Sequence, residues 1–182
     1  MSVRTVLAVM LAVAVCSVSY PAIDDARTTR AEYRAEGELA SVSRALFDLE
    51  DESAVPLGDP GARSVVALSL PRASATTAGI EYVAIGGVPE TREPHGPRDT
   101  PQAKDDYGDV FAYRVEGGST RVRHVPFDLR VAASAPDDAD GGWRLAPDGT
   151  PLVVRGERAR VALVPVEHRG KRIVVVVRAA EL

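Results

Sequence analysis

Lysine is nearly missing from this chain. Two lysines, Lys104 and Lys171, stand against 20 arginines, and 26 acids bring the net charge to −4. An acidic balance with interspersed arginine leaves no basic stripe, which excludes a nucleic-acid partner. Arg preference together with many Ala, Val, Asp and Glu is the pattern of a GC-rich genome, and a carboxylate-rich surface suits a haloarchaeal source. Cysteine occurs once, as Cys16, so no intrachain disulfide and no thiolate metal site can form. Aromatic residues are 5% of the chain, whereas Ala and Val together account for 53 of 182 residues. The core must therefore be built from small and β-branched side chains.

Catalytic signatures are also lacking. The three histidines, His95, His124 and His168, fall in a loop, a strand and a turn, with no His-x-x-x-His spacing between them. There is no Gly-x-Ser-x-Gly, no P-loop and no dinucleotide fingerprint. The sequence thus reads as non-enzymatic, with no catalytic residue and no cofactor. Asp137, Asp138 and Asp140 before Gly141 are the one weak metal candidate, as calcium ligands. They lack the third alternating acid and the downstream Glu of a calcium loop, so a solvated acidic turn is the expected reading.

What the chain does have is Thr5–Ile23, nineteen residues without a charge. As a helix these rise about 28 Å, against a hydrocarbon core of about 30 Å. That length favours an uncleaved anchor over a cleaved signal, although Ser17-Val18-Ser19 has the form of a cleavage site. A lipid attachment at Cys16 is disfavoured by Val15 before it. Arg4 marks a cytoplasmic start, while Arg27, Arg30 and Arg34 argue the other way. Because long C-terminal domains translocate largely regardless of charge, the expected topology is a cytoplasmic N-terminus and an extracytoplasmic domain.

Residues 24–56 follow as a juxtamembrane helix. Ala35, Leu39, Val42, Leu46 and Leu49, spaced 4, 3, 4, 3, form one apolar face, opposite Arg34, Glu38, Ser41, Arg44 and Asp48. Gly37 weakens the middle by about 1 kcal/mol relative to Ala. The acids from Asp48 to Glu52 oppose the helix dipole and predict fraying there, and Val55-Pro56 ends the helix. The stripe has two uses open to it: packing on the chain's own sheet, or a seam with neighbouring subunits.

A short basic start, an apolar span, Pro21 and then an amphipathic helix leading into a β-rich domain resemble type IV pilins and pilin-like proteins. In particular the layout is similar to small uncharacterised haloarchaeal pilin-like membrane proteins. The resemblance covers residues 1 to about 55 and implies membrane lipid, pilin-like subunits or their assembly machinery as partners.

From residue 57 to 182 the periodicity turns to two. SVVALSL, GIEYVAIGG and the hairpin DVFAYRVEGGSTRVRHV read as strands, followed after Pro126 by FDLRVAA. ARVALVPVEHRGKRIVVVVRA is a second hairpin. Ile173–Val177, apolar on both faces, should lie centrally, and Pro165 should sit at an edge or bulge. The segment 87–109 reads as a long surface loop. These elements predict an α+β fold: about seven strands, mostly antiparallel, packed on the distal half of one long helix. The function expected is a single-pass membrane protein, a pilin-like structural or assembly component. The alternative is a membrane-tethered binding or sensor domain.

Overall fold

Helix formers without a Gly-Pro break carry one helix, α1 (Val3–Asp48), through both the apolar span and the amphipathic stretch, with Pro21 inside it. At about 1.5 Å per residue it is a rod about 69 Å long. The structure, a computed structural model, describes residues 3–57, 63–89, 109–133, 143–156 and 158–179. Asp137, Asp138, Asp140, His95 and most of the expected 87–109 loop lie outside the described residues.

The strands are β1 (Val55–Pro56), β2 (Ser64–Ser69), β3 (Ile80–Ile85), β4 (Val110–Val115), β5 (Thr120–His124), β6 (Leu129–Ala133), β7 (Arg144–Leu145), β8 (Leu152–Val154), β9 (Arg158–His168) and β10 (Lys171–Arg178). The fold is α+β, but it holds two sheets in place of one. The first runs β1-β9-β10-β6-β7, with β2 sharing the outer edge of β9; the second runs β5-β4-β3-β8. The second is antiparallel throughout, whereas the first contains the parallel pairs β1/β9 and β6/β10. Ten strands stand among the described residues where about seven were expected. The extra ones, β1, β7 and β8, are two or three residues long, too short for alternation to be read from sequence.

One apolar cluster joins the helix to both sheets. Leu68 from β2, Val83 and Ile85 from β3, Phe111 and Tyr113 from β4, Leu129 and Val131 from β6, Val161 and Leu163 from β9, and Val174 and Val176 from β10 meet the helix stripe. The helix touches β2 of one sheet and β3 and β4 of the other, so it closes the side on which the two sheets would otherwise gape. On the opposite face of the first sheet Val164, Val166, Ile173, Val175 and Val177 form a second cluster, against which Trp143, Leu145, Val55 and Leu57 pack. Strand β10 is therefore buried on both faces, as an unbroken Ile-Val run requires.

Pro165 is the exception to expectation. It lies inside the central strand β9, opposite Val174. The Val174 N–H donates instead to Asp128 O on the β6 side, at 2.8 Å, so this is a non-hydrogen-bonded pair across β9/β10. The proline nitrogen thus faces the other edge of β9. There the pairing with β2 has ended at Leu163 and that with β1 begins at Val166. The missing N–H falls in a gap between two short strands, where no ladder bond is lost.

The β9/β10 turn carries Arg169 at φ 53° and Gly170 at φ 74°. Two positive φ values are the type I′ hairpin geometry, which Asn-Gly fits and a long side chain at the first position does not. Arg169→Asn should raise stability by about 0.5–1 kcal/mol, read from chemical denaturation. In the same assay Leu46→Ala, which empties a fully buried site on the helix, should cost about 3 kcal/mol.

Candidate functional site at the junction of helix and domain

The helix changes environment at one point. From Val3 to Ala26 every described residue is exposed, and no residue of the apolar span is covered by the domain. From Arg27 onward one face is enclosed. Ala31, Ala35, Leu39, Val42 and Leu46 are buried, and Leu49 just past the helix end joins them. Ala31, four residues before Ala35, extends the expected stripe by one turn towards the apolar span. The stripe residues Ala35, Leu39, Val42, Leu46 and Leu49 all face the chain's own sheets. Residues 35–49 therefore retain no second apolar stripe for a neighbour.

Polar contacts flank the stripe at successive levels. At the membrane end the Ala78 N–H donates to Arg27 O at 3.2 Å, and Arg30 Nη1 donates to Thr76 O at 3.4 Å. Arg27 itself pairs loosely with Asp24 at 3.7 Å. One turn further on, Arg121 places Nε and Nη2 at 3.3 and 3.2 Å from Glu32 Oε1. Tyr113 Oη donates to Glu36 Oε1 at 3.1 Å, and the Ser69 N–H donates to Glu38 Oε2 at 3.0 Å. Glu38 thus serves the edge of β2, where the sequence had placed it on the solvent face. Phe47 meets Phe127 edge to face, with ring centroids 5.0 Å apart.

At the far end α1 stops at Asp48, the first of those acids, and residues 49–52 continue as a turn and bend. Arg172 Nη2 donates to Leu49 O and, at 2.7 Å, to Glu52 O. The guanidinium ties down the turn that follows the helix and brings positive charge to the helix C-terminal end. From residue 27 the helix is clasped at nearly every turn, and the segment after it is held as far as residue 52.

Most of these ion pairs are exposed and individually weak. Arg121 is a surface pair, worth at most about 1 kcal/mol. Tyr113 is different. Burial, and then its bond to Glu36, push its hydroxyl up from 10.0 to about 12. A cleft of about 420 Å3 between α1 and β5 opens beside it, lined by Glu32, Glu36, Leu39, Arg121, Val122 and Arg123.

A second group pins the start of β4 to the start of β6. Asp109 Oδ1 accepts from the Leu129 N–H at 3.0 Å, and Arg130 Nε meets Asp128 Oδ1 at 3.0 Å while its Nη1 meets Asp148. Burial raises the pKa of Asp109 despite its backbone bond. For Arg130, burial works against the charge, but the two carboxylates outweigh it and hold its pKa above the usual value. Arg130 thus pairs with Asp128 and Asp148, while Asp109 is held by the Leu129 backbone. Among the described residues no three His, Cys, Asp or Glu side chains are grouped to hold a metal ion. His124 ends β5 and His168 ends β9, on different sheets.

The remaining chemical feature is a recess of about 590 Å3 where β8, β9 and β10 meet. It is lined by Val153, Val154, Arg155, Arg158, Ala159, Arg160, Arg178 and Ala179.

Fold and junction together define an α+β domain carried on one continuous helix whose free half is long and apolar enough to cross a membrane. The chain belongs to the family described as a domain of unknown function (DUF7311), which matches residues 2–179. No curated protein matches it, and no solved structure does.

The direction of the Tyr113 shift has a measurable consequence. A raised pKa means that its bond to Glu36 contributes fully below the ordinary value of 10.0 and is lost as pH rises through about 12. Tyrosinate absorbance should show a late step near pH 12, coincident with loss of stability. Tyr113→Phe should remove that step and flatten stability over the same window. An unchanged titration in the variant would show that the late step belongs elsewhere.

Proposed function

We propose that this chain is a non-enzymatic, single-pass membrane protein of pilin-like layout, a structural or assembly component whose β-domain lies outside the cytoplasm. One observation carries the reading. The first half of α1 stands free on all sides while the second half is built into the domain core. Leu7, Met10 and Leu11 are among the large apolar side chains left exposed. A bare apolar rod must be covered by lipid, by copies of itself, or by both. Because the stripe from Ala31 to Leu49 is used internally, association with neighbours falls to the span. Orientation with the N-terminus in the cytoplasm follows from Arg4 ahead of the span and from the length of the domain behind it.

The second reading, a tethered binding domain for which the helix is only a stalk, is favoured by the arginine-lined recess. Crosslinking separates the two. With Cys16 replaced by alanine, single cysteines at Leu7 or Leu11 should give dimers and higher species on oxidation in native membranes if the span is the assembly surface. Monomer alone at both positions would favour the tethered domain. Ser74→Cys, on an exposed stretch beside the helix exit, should react with an impermeant maleimide in intact cells. Reaction only after lysis would reverse the proposed orientation.

A further inference from the structure

Four arginines line the recess at β8, β9 and β10, and their places on the strands bring them to it. Arg155 follows β8. Arg158 and Arg160 open β9 two residues apart, so they share a face, while Arg178 closes β10 opposite Val161. Arg178 Nη2 donates to Val153 O at 2.9 Å, joining the two sheets and using one of its five donors. Among the described residues Arg155, Arg158 and Arg160 have no carboxylate partner, whereas Arg27, Arg114, Arg121 and Arg130 each have one.

In a chain with 26 acids such a group is not forced by composition. Like charges held together cost stability, and among the described residues no contact made by the first three arginines offsets it. We infer that the recess is a binding site for an anion that carries a phosphate group. Forked guanidinium donors carried by several strands around one recess suit a phosphate's oxygens. A volume of about 590 Å3 is that of a small-ligand pocket and exceeds what a lone carboxylate fills.

The phosphate has two sources. Arg158 pairs with Ser69, whose N–H meets Glu38, and Gly156 shares a neighbouring recess with Leu70, Arg72 and Gly79 near the helix exit. The site therefore lies towards the membrane end of the domain. Glu38 is fifteen residues beyond Ile23, about 22 Å along the helix. A lipid headgroup reaches the recess only if the rod tilts, whereas a soluble phosphate ester reaches it in any pose. The recess stands independently of the pilin-like reading; only the lipid source rests on membrane anchoring.

The test uses the full chain beside the variant R155Q/R158Q/R160Q, whose three positions are exposed. A second variant, R155K/R158K/R160K, keeps the charge and removes the forks. Calorimetric titration of inorganic phosphate in uncharged micelles should show saturable binding, weakened about tenfold for each guanidinium lost. The lysine variant should fall between wild type and the glutamine variant. That result assigns a soluble source. If inorganic phosphate does not bind, nanodiscs containing phosphatidylglycerol, but not those of phosphatidylcholine alone, should slow hydrogen exchange at residues 153–160. Loss of that protection in both variants assigns the headgroup. No binding in either arm, or variants that bind as wild type does, overturns the inference.

Discussion

Burial of one helix stripe between two sheets is the contact on which this structure depends. Leu39, Val42, Leu46 and Leu49 each bring about 1.5–3 kcal/mol of apolar burial, a sum comparable to the whole stability of a small domain. Ala31 and Ala35 add little area, but their small side chains let the helix lie close to the strands. Without the helix, the inner faces of β2, β3 and β4 would stand open to water. The sheet domain is therefore incomplete without the same helix that carries the apolar span. Folding of the domain and formation of the helix that carries the apolar span are one structural event in this chain.

The sheets show how a core poor in aromatics is closed. Valines fill both faces of β10, and β9 is flanked on one side by β10 and on the other by β2 and β1 in succession. Pro165 sits where those two short strands leave a gap, so the central strand tolerates a residue that cannot donate. The polar contacts that flank the helix, Glu32 to Arg121, Glu36 to Tyr113 and Glu38 to Ser69, add modest energy. They fix rotation and height, because a shift of one residue along the helix would break all of them together.

Much of the helix was legible from sequence because its signals are local. Nineteen uncharged residues, and then a 4-3 apolar spacing, need no knowledge of what lies opposite. The same holds for the two hairpins, whose Gly-containing turns and alternating flanks lie within one short segment each. The division into two sheets and the parallel neighbour pairs of the first were not legible. Strand β6 meets β10 only after three other strands have intervened, and β1, β7 and β8 are too short to show a period. Glu38 was placed towards solvent because its partner, Ser69, is 31 residues away. The arginine recess escaped notice for the same reason: its members are unremarkable strand ends until β8 and β10 meet. The metal candidates Asp137, Asp138 and Asp140 lie outside the described residues and contribute nothing to this picture.

Hydrogen exchange along α1 tests the coupling of span to domain most directly. With the full chain in micelles, amides from Ala31 to Leu46 should exchange only through global unfolding, with the same free energy as those of β9 and β10. Substitution of Leu46 by alanine should lower both sets together. Exchange from 31 to 46 at the rate of an isolated, fraying helix, with β9 and β10 still protected, would contradict it. The helix would then be a tether beside the domain and not part of its core.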